Sequence, residues 1–110
     1  MTGLVNWRQG APFANTGVGT NAGVTVSIAS VANTALVVTA ISGSGDAAAL
    51  VTLETPAATV IWRKRFAAAF TFSENFPPGH YASANGASIQ VKISASTSNC
   101  EANISGYQAI

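Results

Sequence analysis

Apolar and polar residues alternate with a period of two along most of this chain. The cleanest run is Ala87 to Ser94, where Ile89, Val91 and Ile93 share one face while Gln90 and Lys92 share the other. Successive side chains of a strand point to opposite faces of a sheet, so such a run reads as a strand with one face buried. Val24, Val26 and Ile28 alternate with Thr25 and Ser27 in the same way, and Cys100, Ala102 and Ile104 with Glu101, Asn103 and Ser105. Turn residues interrupt these runs at intervals of about ten, the spacing of all-β domains. Crossover helices are missing, which excludes a parallel α/β sheet. The predicted fold is all-β, a single antiparallel β-sandwich or jelly roll of about seven or eight strands with an extended N-terminal arm.

The arm is placed at residues 1–21, where Gly, Asn and Thr surround isolated apolar residues with no sustained period, and the sandwich domain at 22–110. Trp7 and Phe13 are the arm's candidate interface anchors, because large aromatics dominate contacts between proteins; the arm docks on a neighbouring subunit or, equally, on its own body. In the body, residues 36–41 read as a strand followed by a turn at Gly43-Ser44-Gly45-Asp46. Leu50 to Leu53 then form a strand that ends before Pro56. Asp46 followed by three alanines reads alternatively as the cap and first turn of a short helix.

Between residues 58 and 72, Val60, Trp62, Lys64, Phe66, Ala68, Phe70 and Phe72 fall on one face, and the lysine conflicts with its apolar row. A bend or bulge at Arg63 to Arg65, where the chain passes from one sheet to the other, resolves the conflict. A helical turn at 66–70 is the alternative. Asn85-Gly86 predicts a type I′ hairpin joining Gly79–Ala84 to Ala87–Ser94, and the strand beginning at Cys100 would complete a three-stranded meander.

Only nine side chains are ionised, 8% of the residues, giving a formal net charge of +1. An average domain carries about 25%. In their place stand 21 Ala, 11 Ser, 11 Thr and 8 Asn. So neutral a surface repels its own copies weakly, which predicts a protein covered by other chains, a homo-oligomer or part of a larger assembly; the alternative is a free surface that Ser, Thr and Asn hydrate. The opening MTGLVNWRQG lacks the cationic start and apolar stretch of a signal peptide, and no apolar run is long enough to span a membrane. A cytosolic product with no membrane partner is expected, in keeping with a single cysteine.

The inventory for chemistry is small. His80 stands in a turn without an orienting acid nearby, and Cys100 opens the apolar face of a strand as a small core hydrophobe. One His, one Cys and four scattered acids are too few for a zinc or calcium shell, so neither catalytic residues, metal ligands nor a cofactor site are predicted. Arg63, Lys64 and Arg65 form the one charge cluster. The cluster reads first as a polar strand corner whose side chains snorkel at the sheet end. As a contact, three cations neutralise too few phosphates for useful affinity at physiological salt, so the partner expected for it is an acidic protein surface and not nucleic acid. Trp7, Trp62, Tyr81 and Tyr107 are candidates for a sugar-stacking platform or, equally, for core and interface anchors, Trp62 reading as core and Trp7 as interface.

The stretch from Ala87 to Tyr107, together with the Ala-, Ser- and Thr-rich strands before it, resembles the small all-β structural proteins of tailed-bacteriophage virions, most of all the capsid decoration or cement proteins. The resemblance implies β-sandwich or jelly-roll subunits that often trimerise and clamp adjacent major capsid proteins on the outer capsid surface, after synthesis in the host cytoplasm. It carries over no catalytic residue. A tail or fibre component acting as a carbohydrate-binding or host-adhesion module is the alternative function.

Overall fold

The structure, a computed structural model, describes residues 9–20, 22–56, 59–77, 79–94 and 99–109. Nine strands carry the described chain: β1 (Gln9–Gly19), β2 (Val24–Ile28), β3 (Ala35–Gly45), β4 (Ala49–Thr55), β5 (Thr59–Phe66), β6 (Phe70–Asn75), β7 (Tyr81–Ala82), β8 (Ile89–Ser94) and β9 (Cys100–Ala109). They form two antiparallel sheets packed face to face, sheet A in the order β1-β9-β3-β6 with β7 also on β3, and sheet B in the order β2-β8-β4-β5. The pairs β1–β9, β2–β8 and β3–β6 nest around the β4–β5 hairpin, so the chain is a long antiparallel ribbon folded over on itself.

The core lies between the sheets. Leu36, Val38, Ile41, Phe72, Ala102 and Ile104 come from sheet A, and Val26, Val51, Leu53, Ile89, Val91 and Ile93 from sheet B. The alternation read at β8 and β9 holds residue by residue, with Ile89, Val91 and Ile93 buried and Lys92 exposed. In β3 the phase shifts. A bulge between Val38 and Ala40 leaves Thr39 without a partner on β9, so the inward set runs Leu36, Val38, Ile41 and Gly43. Val37, facing the other way, is fully buried with Ala35, Tyr107 and Ala109 in a second cluster.

Several local expectations are corrected. Asn85-Gly86 does turn the chain, with the Ala87 N–H donating to the Ala84 carbonyl at 3.1 Å. Yet only Gly86 has a positive φ (75°), so the turn is not type I′, which needs two such residues. It is not a hairpin either, because β7 lies in sheet A and β8 in sheet B. The three-stranded meander is therefore absent: β7 and β9 both pair with β3, while β8 lies between β2 and β4.

The expected turn at 43–46 lies further on. Gly43 and Gly45 remain in β3, where a Cβ on Gly43 would overlap the Glu101 carbonyl oxygen of β9 and come within 2.9 Å of the Phe72 ring, and one on Gly45 within 2.6 Å of the Phe70 ring, so the glycines permit the close approach of β9 and make room for the aromatics of β6. Asp46 caps no helix. Its Oδ1 accepts from the Asn99 N–H at 2.9 Å, and β4 starts three residues on. The chain crosses between sheets at Ala67 to Ala69 as bends, not at Arg63 to Arg65 and not through a helical turn. The bulge in β5 falls at Ile61, since Leu53 pairs with Trp62 and Glu54 with Val60.

Candidate functional site

The fold sorts the three-residue cation run by alternation. Arg63 and Arg65 face outward from sheet B. Lys64 shares the inner face with its partner Val51 and lies at the open edge of the sandwich. There its Nζ meets Glu74 Oε2 of β6 at 3.2 Å and sits 5.6 Å from the Phe66 ring centroid. The conflict of a lysine in an apolar row is thus resolved by position, because an edge strand lets an amphipathic side chain lay its stem on the core and keep its head in water. Phe66 stacks on Phe70 with centroids 4.3 Å apart, closing the same edge.

The register adds a cation that adjacency in sequence does not. Lys92 on β8 pairs with Thr52 on β4, and Thr52 pairs with Arg63 on β5. Ser94, Leu50 and Arg65 form the next row. Strands lie about 4.8 Å apart and alternate residues about 6.8 Å apart, so the Cα atoms of Arg63, Arg65 and Lys92 fall within roughly 12 Å of one another. Among the described residues the one ion pair is Lys64–Glu74, which leaves these three cations without a carboxylate partner. Between Lys92 and Arg65 the surface sinks into an open concavity of ≈ 1050 Å³, with Thr25, Leu50, Phe66 and Ser94 in its lining.

Glu54 occupies the row beyond Thr52 and is only 6% exposed. Thr52 Oγ1 donates to its Oε2 at 2.8 Å and Gln90 Nε2 to its Oε1 at 2.9 Å, and Ser27 Oγ in turn donates to Gln90 Oε1 at 3.3 Å. This chain of bonds fixes the outer face of three strands. Thr52, Glu54, Gln90 and Lys92 were missed as a group by sequence reasoning. The alternation assigns each to an outer face, but only the order β2-β8-β4-β5 brings them together.

The outer face of sheet A has a different character. Three rows cross its four strands: Ala14–Ser105–Ala40–Asn75, Thr16–Asn103–Ser42–Ser73 and Val18–Glu101–Ser44–Thr71. Glu101 carries the one charge in this grid. Asn103 Nδ2 donates to Ser42 Oγ at 3.3 Å, and Val18 is 71% exposed.

Of the remaining candidates, Trp7 lies outside the described residues. Phe13 is half-buried and packs against the molecule's own core, opposite Gly106. Residues 9–19 of the expected arm form β1, the edge strand beside β9. Trp62 and Tyr81 are joined through Phe76, but successive rings meet at 64° and 63°, edge to face. Rings so inclined cap the end of a core and offer no common plane for a sugar, while Tyr107 is buried on the far side of sheet A.

His80 and Cys100 do not meet. On β3, Tyr81 pairs with Val38 and Cys100 with Gly45, a separation of roughly 20 Å at about 3.3 Å per residue. Among the described residues no group of three or more His, Cys, Asp or Glu converges. Burial pushes the Cys100 thiol above its ordinary 9.0; Asp46 adds to the rise and a backbone hydrogen bond at Gly19 opposes it. The protonated thiol donates to the Ala22 carbonyl at 3.4 Å. A pKa raised by folding contributes stability that is full below the unfolded value and is lost as pH rises through the folded value. Unfolding free energy is therefore expected to fall as the pH rises through the thiol's ordinary value and beyond, and Cys100→Ala to flatten that fall. Equal slopes for the two proteins in urea titrations would contradict it.

Comparison of the chain with protein-family models, curated proteins and solved structures gives no match.

Proposed function

We propose that this chain is a non-enzymatic structural protein of a virion, a capsid decoration protein that binds and stabilises a shell of major capsid protein as a homotrimer. The observation that carries this reading is the grid on sheet A, twelve positions of small and mostly uncharged side chains with one carboxylate. Such a face loses little side-chain entropy on contact and buries one charge, with hydroxyls and amides able to hydrogen-bond across the contact, so it suits close packing between protein subunits. The nested ribbon is read as a jelly roll, a topology used in capsid proteins and in lectins alike, and by itself it selects neither. Many copies on a lattice make individually weak contacts sufficient.

Sedimentation velocity tests the assembly. The wild type is expected to sediment as a trimer, and Asn103→Lys, which puts a charge in the middle of the grid, as a monomer of unchanged sheet content. A wild-type monomer that is retained on a glycan array would overturn the reading in favour of an adhesion module.

A further inference from the structure

We propose that the outer face of sheet B is a docking surface for an acidic loop of a partner protein, with Arg63, Arg65 and Lys92 as its charge contacts and the concavity floored by Leu50 as its seat. The inference rests on the shell-binding reading for the partner's identity and deepens it by assigning a face and a chemistry.

Edge protection is the simplest account of cations on β5, because charged side chains on an edge strand block pairing with other sheets. It explains Arg63 and Arg65. It does not explain Lys92, which stands on β8 between β2 and β4, where no free edge exists to protect. A chain with so few charges has placed three like ones on one sheet face, without a carboxylate in reach among the described residues. The nearest acid in the register is Glu54, buried and already held by Thr52 and Gln90. That arrangement leaves a net positive face on a rigid, hydrogen-bonded floor.

The seat selects a polypeptide over a phosphate polyanion. Arg65 and Lys92 stand at the concavity with the hydroxyls of Thr25 and Ser94, Leu50 supplies apolar surface on the same outer face, and the concavity wraps round the end of the sheet to the inward-facing Phe66 and Ile93. A loop bearing carboxylates beside an apolar side chain matches both parts, whereas a phosphate backbone would leave the apolar part uncovered. At physiological salt the screening length is about 8 Å, comparable to the spacing of the three cations, so they act together on a ligand at contact and weakly on one at a distance.

The test measures binding of poly-L-glutamate to the intact protein at low salt. Arg63→Gln, Arg65→Gln and Lys92→Gln combined are expected to weaken binding about tenfold, the sum of three exposed ion pairs, and Lys92→Gln alone about twofold. Lys64→Gln, which removes a cation already paired to Glu74, should change it less than the Lys92 variant. Equal losses for Lys64→Gln and Lys92→Gln would overturn the assignment, because the effect would then follow total charge and not this face. Tighter binding to duplex DNA or to phosphatidylserine vesicles than to poly-L-glutamate would also overturn it. Since no shell takes part, failure here leaves the decoration reading standing, and failure to bind shells leaves this result standing.

Discussion

Gly106→Ala is expected to destabilise the protein by about 3 kcal/mol or more, the upper end of the usual penalty for overpacking a core. Gly106 faces inward on β9 between Phe13 of β1 and Val38 of β3. A Cβ there would overlap the carbonyl oxygen of Val37 and approach Phe13 Cζ to 2.7 Å. A side chain can turn away from a new methyl, but the Val37 carbonyl is held in the β3–β9 ladder beside the bulge at Thr39. Relief must come from separating the strands, which also loosens β1. Gly86→Ala is the comparison: its Cβ meets nothing nearer than the Asn33 nitrogen at 4.0 Å, so only the positive φ opposes it, at about 1 kcal/mol. Urea unfolding with an unchanged m-value would read both. A Gly106→Ala midpoint equal to the wild type's would mean that the bulge lies elsewhere.

Ile93→Ala is expected to cost about 2 to 5 kcal/mol, and Lys92→Ala less than about 0.5 kcal/mol. Ile93 is 1% exposed and sits between Val24 of β2 and Val51 of β4, so truncation leaves a cavity that two flanking strands cannot collapse to fill. Lys92, the next residue, points to solvent on the opposite face. A strand has a period of two, so a slip of one residue would exchange the two results. A larger loss for Lys92→Ala in thermal or urea unfolding would contradict the register of sheet B, and with it the placement of the cationic face.

Strands with one face buried and an undisturbed pairing were legible from the sequence. β8 and the first part of β9, Cys100 to Ser105, are of that kind. β3 and β5 were less so, because bulges at Thr39 and Ile61 shift the phase within each strand and the period read from end to end does not hold. β1 gave no signal at all. Its inward positions are Phe13, Asn15, Gly17 and Gly19, and a Cβ on Gly17 would come within 2.9 Å of Val26, so small residues stand where hydrophobic ones would have marked a strand. Pairing with β9 makes it a strand, a tertiary override of local preference.

Asn85-Gly86 shows the limit of turn chemistry. The dipeptide specifies a reversal of direction, while the sheet that the chain enters next is fixed by partners far away in sequence. The candidate site follows the same rule. Arg63 and Arg65 were visible as neighbours, and Lys64 was visible as an anomaly. Lys92 joins the first two only because β4 pairs with both β5 and β8, an order that no local pattern announces.

The measurement that tests the account most directly is the mass of empty shells of the matching major capsid protein before and after mixing with this protein, alongside the mass of the protein alone. The account predicts saturating uptake in a fixed ratio of copies to shell subunits, by a protein that is trimeric in solution. Shells of unchanged mass at saturating protein would contradict it.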